Sequence, residues 1–135
     1  MKIPILLLLT FSLLSCSSNL KCDDFRNGNF YIESENDTID KIVIVRKRNS
    51  QKEWVNEIGN GKSGDIKLNW IDECTYRINY DETSKNFTKR EKLINDNNGI
   101  LVEKIFIIGR CMNYKATMKR KDGKIIERFG KICKE

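Results

Sequence analysis

Five cysteines and no histidine set the chemistry that this 135-residue chain can carry. The side chain best suited to proton transfer near neutral pH, and the commonest nitrogen ligand for metals, is missing. His-based triads and most zinc sites are therefore excluded. Catalysis would have to run on carboxylates, Lys, Tyr or Ser. The adjacent acid pairs Asp23-Asp24, Asp72-Glu73 and Asp81-Glu82 fall in turn-like stretches. In a strand such neighbours would point to opposite faces, which works against shared acid/base chemistry. The turn Asp96-Asn97-Asn98-Gly99 is rich in oxygen but lacks the ligand spacing and closing glutamate of a calcium loop. No catalytic residue, metal or cofactor is expected, and the chain is read as a non-enzyme.

One cysteine has a different use. Met1-Lys2 gives a short positive start, Ile3 to Leu14 is mostly apolar, and the run ends in Leu13-Leu14-Ser15-Cys16. It is shorter than the roughly 20 apolar residues a permanent span wants, so residues 1–15 read as a signal peptide. Leu-Leu-Ser-Cys resembles the lipobox of bacterial lipoproteins, which implies cleavage before Cys16 and lipidation of Cys16. Several acyl chains on one residue hold a protein firmly on a membrane. A conventional signal-peptidase site and an N-terminal anchor helix are the alternatives. Ser17 after the lipid cysteine resembles sorting to an outer membrane, and Lys21 with Asp23 and Asp24 loosely resembles the acidic surface-export signal of Bacteroidetes lipoproteins. Residues 16–24 are then a spacer. Cys22, Cys74, Cys111 and Cys133 remain as an even set without a C-x-x-C pair. In an oxidising compartment they are expected to form two structural disulfides.

Residues 25–135 are expected to form a single β domain. Phe25 to Ser34 reads as a first strand and Lys41 to Arg48 as a strand with apolar groups on both faces; Gln51 to Ile58 alternates weakly through Trp54. The glycines of 59–64 lack phosphate-loop spacing and read as a hairpin loop. Asn36-Asp37-Thr38 fits a glycosylation pattern but reads first as a plain loop. Ile66, Leu68 and Trp70, then Cys74, Tyr76, Ile78 and Tyr80, alternate with polar residues. A three-residue loop would pair Trp70 with Cys74, Leu68 with Tyr76 and Ile66 with Ile78, all on one face. Asp81 to Gly99 is the longest polar stretch and a candidate lid if the sheet curls; within it Ser84 to Asn95 is either a frayed loop or a short helix that places Phe87, Arg90 and Ile94 near one side. Ile100 to Ile108 is strongly apolar. In the last hairpin, with Gly123 in the left-handed position, Arg120 meets Lys124, Met118 meets Ile126 and Met112 meets Ile132. The same count sets Cys111 opposite Cys133, and Cys22–Cys74 follows by subtraction. Trp54, Trp70, Tyr76, Tyr80, Phe106 and Tyr114 are expected in the core. The fold class is all-β: an antiparallel meander of seven or eight strands, closed as a small lipocalin-like barrel or left as a curved sheet.

The net charge of +6 is concentrated at the end of the chain, where residues 111–135 carry eight Lys or Arg against Asp122, Glu127 and Glu135. Lys119, Arg120, Lys121 and Lys124 form a candidate basic patch toward anionic headgroups or a protein; a solvated strand face is the plainer reading. Aromatics are not interleaved with it, so nucleic acid is not an expected partner.

Cys22-x-x-Phe25-x-x-Gly28-x-Phe30 and Trp70-x-x-x-Cys74-x-Tyr76-x-Ile78 resemble the small lipoproteins common in flavobacteria, single β domains of unassigned role. Some members carry a DNA topoisomerase IV label, which an exported chain of this length does not support. The resemblance implies the fold and an envelope location, not a reaction. The expected function is a lipid-anchored envelope protein that binds a small apolar ligand in a barrel mouth or another envelope component. A structural surface protein, or an inhibitor or immunity-type module, is the alternative.

Overall fold

Eight antiparallel strands close into a barrel in the computed structural model, which describes residues 19–34, 40–60 and 65–135. The strands are β1 Asn27–Glu33, β2 Lys41–Lys47, β3 Ser50–Val55, β4 Asp65–Trp70, β5 Tyr76–Tyr80, β6 Ile100–Ile108, β7 Cys111–Lys119 and β8 Ile125–Lys134. Each pairs with the next, and β1 closes on β8. Cys16 and its signal run, the 36–38 motif and residues 61–64 of the glycine loop lie outside the described residues.

The last hairpin has the expected register. Arg120 N–H donates to Lys124 O (2.8 Å), Gly123 supplies φ +85°, and the ladder runs Met118 to Ile126, Met112 to Ile132 and Cys111 to Cys133. Both disulfides, Cys111–Cys133 and Cys22–Cys74, are formed.

The middle hairpin departs from expectation by two residues: Trp70 pairs with Tyr76, Leu68 with Ile78 and Ile66 with Tyr80. Its loop is Ile71 to Thr75. Asp72 Oδ1 accepts from the N–H groups of Cys74 (2.9 Å) and Thr75 (2.7 Å), and Cys74 is drawn out of the ladder to meet Cys22. An even shift keeps every side chain on its face, so the apolar face survives the register error.

Phe25 is not in the first strand. It ends a 3₁₀ turn, Cys22–Phe25, that tucks under the barrel and buries Phe25 completely. On β2, Val43 faces outward and is nevertheless buried, set in register between Tyr31 and Trp54. Trp54 is therefore on the outer wall, and the inward positions of β3 are Gln51 and Glu53. The register shift between Lys104 and Phe106 puts Ile107 on the inner face with Met112 and turns Phe106 outward, 47% exposed. These are corrections to the expected core.

A helix forms later than expected: α1, Lys89–Asp96. Thr88 Oγ1 accepts from Glu91 N–H (3.2 Å) and Glu91 Oε2 from Thr88 N–H (2.6 Å), a reciprocal cap. At the other end Gly99 N–H reaches Ile94 O and Asn98 N–H reaches Asn95 O, which ends the helix. Asn95 binds both backbone groups of Tyr80, and Ile94 is buried, so α1 is fixed beside β5.

Candidate functional site: the barrel mouth

The two ends of the barrel are built differently. At the end where β1 begins, Phe25, Phe30, Ile44, Leu68, Met112 and Ile132 are each at most 1% exposed and fill the interior. Among them lies Arg46, 3% exposed. Its guanidinium donates to Gln51 Oε1 (2.6 Å), Phe25 O (2.9 Å) and the Tyr76 hydroxyl (2.5 Å), and stacks over the Tyr76 ring at 4.7 Å. Gln51 Nε2 passes the polarity on to Glu53 Oε1 (2.5 Å). Burial raises the Glu53 carboxyl above its usual range, with Gln51 and the Arg46 charge pulling the other way. The chain enters here. Leu20 N–H donates to Gly109 O (2.9 Å) and Asn19 Oδ1 accepts from Gly109 N–H (2.6 Å), which pins the approach to the β6–β7 turn.

At the opposite end a mainly apolar cleft of about 290 Å³ opens beneath α1. Its floor is Ile100, Ala116 and Met118 with Ile126 beside them; Leu93 and Ile94 form the helical wall. Two cations complete it: Arg90 from the first turn of α1 and Arg128 from β8. Arg128 pairs in register with Ala116, on the inner face. The segment read as a candidate lid flanks the open end; Arg90 and Ile94 share the side of α1 that faces the cleft, while Phe87 precedes the helix and does not line it.

A second, larger and more polar recess of about 610 Å³ lies at the β1–β8 seam. Only Phe30–Lys134 and Tyr31–Cys133 pair across that seam, and Ile32, Tyr114 and Gly130 line the opening beyond them. Burial and the neighbouring Tyr76 and Glu53 push the Tyr114 phenol up to about 12; burial, then Glu53 and Glu91, do the same for Tyr80. Neither phenol is poised to release a proton near neutrality.

The acid pairs serve as turn formers. Asp72 is held below the usual carboxylate range by the Cys74 and Thr75 groups it accepts from, and Asp81 by the Thr83 N–H and hydroxyl. Among the described residues, no three His, Cys, Asp or Glu gather as a metal site. The basic residues Lys119, Arg120, Lys121 and Lys124 sit at the tip of the β7–β8 hairpin, away from the filled end; Arg120 pairs with Asp122 at 3.0 Å, and Lys121 N–H is held by Asn97 Oδ1.

Sequence reasoning missed Arg46, Gln51 and Glu53. The signal was present: Ile42, Ile44 and Arg46 share one face by the period of two, and a two-residue turn at Arg48-Asn49 sets Gln51 and Glu53 opposite them. Compared with protein-family models, with curated proteins and with solved structures, the chain matches none.

Proposed function

We propose that this protein is a lipid-anchored, non-enzymatic component of a bacterial cell envelope, of the flavobacterial lipoprotein type, that takes a small apolar ligand in its barrel mouth. The observation that carries the reading is the opposition of the two ends. Asn19 and Leu20 are fastened at the filled end, while the apolar cleft opens at the other. A lipid on Cys16, three residues before Asn19, would hold the filled end toward the bilayer and turn the mouth to the aqueous side. The lipobox resemblance supports the anchor, and Ser17 supports an outer membrane. A mostly apolar concavity with a few polar groups is the general form of a small-ligand site, and this one is at the small end of the usual range of about 300–1,000 Å³.

Two experiments test it. Cys16→Ser should release the protein into the soluble fraction; a variant that stays on membranes refutes the anchor. An apolar fluorophore should bind saturably to the wild type and lose that binding in Ala116→Phe, which fills the cleft floor. Unchanged binding in that variant removes the mouth from consideration.

A second reading, a module acting on an envelope protein, is favoured by the hairpin tip. Lys119, Lys121 and Lys124 are exposed there and make no ion pair among the described residues. Reversing the three charges should abolish co-purification of one specific protein, and unchanged co-purification counts against this reading.

A further inference from the structure

The mouth is apolar, yet both of its charged residues are arginines. Arg90 and Arg128 line the same cleft of about 290 Å³, and neither makes an ion pair among the described residues. Among the described residues, the one hydrogen bond of the Arg128 side chain runs to the adjacent Glu127 carbonyl, at 3.3 Å. The nearby acids on α1 are already engaged: Glu91 with the Thr88 N–H and Asp96 with Lys92. Fold stability explains neither cation. Arg90 occupies the first turn of α1, where the helix dipole disfavours positive charge. Arg128 occupies an inward position of β8, in a series with Ile126 and Ile132.

Two unpaired guanidinium groups at the rim of an apolar pocket match a ligand with an anionic head and a short hydrocarbon tail. Each can present two parallel N–H donors to a carboxylate, which a hydroxyl or ammonium head cannot use in the same way. The cleft volume limits the tail to a single short chain. We infer that the ligand of the mouth is an amphipathic carboxylate with one short acyl tail, held at its head by Arg90 and Arg128 and along its chain by Ile100, Ala116 and Met118. This rests on the mouth being a ligand site at all, and the test separates the two claims.

The full chain carrying Cys16→Ser is titrated with decanoate, decanol and decylammonium, and the methionine methyl groups are followed by NMR. Met118 lines the cleft, while Met112 is buried at the filled end and serves as the internal control. Decanoate should shift Met118 saturably and leave Met112 unmoved, with decanol at least tenfold weaker, the difference a charge-assisted head contact makes. Arg90→Gln and Arg128→Gln should each weaken decanoate about tenfold and leave decanol unchanged. If decanol or decylammonium binds as tightly as decanoate, or the arginine variants bind decanoate normally, the carboxylate assignment is overturned while the apolar mouth stands. If no amphiphile moves Met118, the mouth reading falls and this inference with it.

Discussion

The filled end and the mouth of the barrel use the same residue type to opposite purpose. Arg46 is an arginine in the interior with every direction occupied: three acceptors, and the Phe30 and Tyr76 rings on its flanks. Arg128 also sits on an inward position, but among the described residues its only acceptor is a neighbouring carbonyl at 3.3 Å. A buried charge is tolerable only when its partners replace water, so Arg46 is a structural fastener. Arg128 is exposed at the open rim, where solvent can reach it. The contrast teaches that the end nearest the chain entry is closed by mutual contacts, and that open space is left at the end farthest from it.

The sharpest way to break this comparison is to truncate both arginines. Arg46→Ala strips Gln51, Phe25 O and Tyr76 of their donor, at roughly 1–3 kcal/mol each, and opens a cavity; a loss of about 5 kcal/mol in denaturant unfolding is expected. Arg128→Ala should change stability by less than about 0.5 kcal/mol. Similar losses from the two would mean that the ends do not differ in kind. The disulfides come next. Cys22–Cys74 closes a separation of 52 residues and ties the 3₁₀ turn to the middle hairpin, so replacing both cysteines by alanine should cost about 4 kcal/mol. Cys111–Cys133 closes only 22 residues within an already paired hairpin, where about 3 kcal/mol is expected. Thermal unfolding of the two double variants should rank them in that order.

A smaller effect is expected at the seam. Gly130 lies opposite Tyr114, and a Cβ there would overlap the tyrosine ring. Alanine ordinarily improves on glycine in a strand. Here Gly130→Ala should destabilise by about 2 kcal/mol, and most of that cost should vanish in a Tyr114→Leu background. Additive effects in the double variant would show that the ring does not need the glycine.

How much of this was legible in the sequence follows from what each signal depends on. Strict alternation and one well-placed glycine were enough to set the β7–β8 register down to Cys111 opposite Cys133, because no other force competes along that hairpin. In the β4–β5 hairpin, Cys74 answers to Cys22, far away in the chain, and no local rule could have lengthened the loop. The cap Thr88-x-x-Glu91 was readable and would have started α1 at Lys89. The face of Phe106 was not, because a bulge reverses parity without any composition mark. The mouth was foreseen as a place only: that Ser84 to Asn95 would flank it followed from chain order. That Arg90 and Arg128 would meet there required the closed barrel.

The weakest expected effect tests the link between the two ends, at Glu53. Its carboxyl lies inside the barrel, bound by Gln51, which is bound in turn by Arg46. Burial is the largest influence and raises its pKa above the ordinary 4.5, so the folded state holds this proton more tightly than the unfolded chain does. Stability from this group is therefore fully present below the unfolded pKa and is lost as pH rises through the higher folded value. Above the unfolded pKa this group weighs against the fold. Glu53→Gln keeps an oxygen for Gln51 and removes the charge. It should raise Tm at pH 7 and leave it nearly unchanged at pH 4. An equal gain at both pH values would assign the effect to packing, and a loss at pH 7 would mean that the attraction of Arg46 outweighs desolvation. In that case the polar chain would run from the filled end as an ion pair, and the stability of that end would depend on pH in the opposite sense.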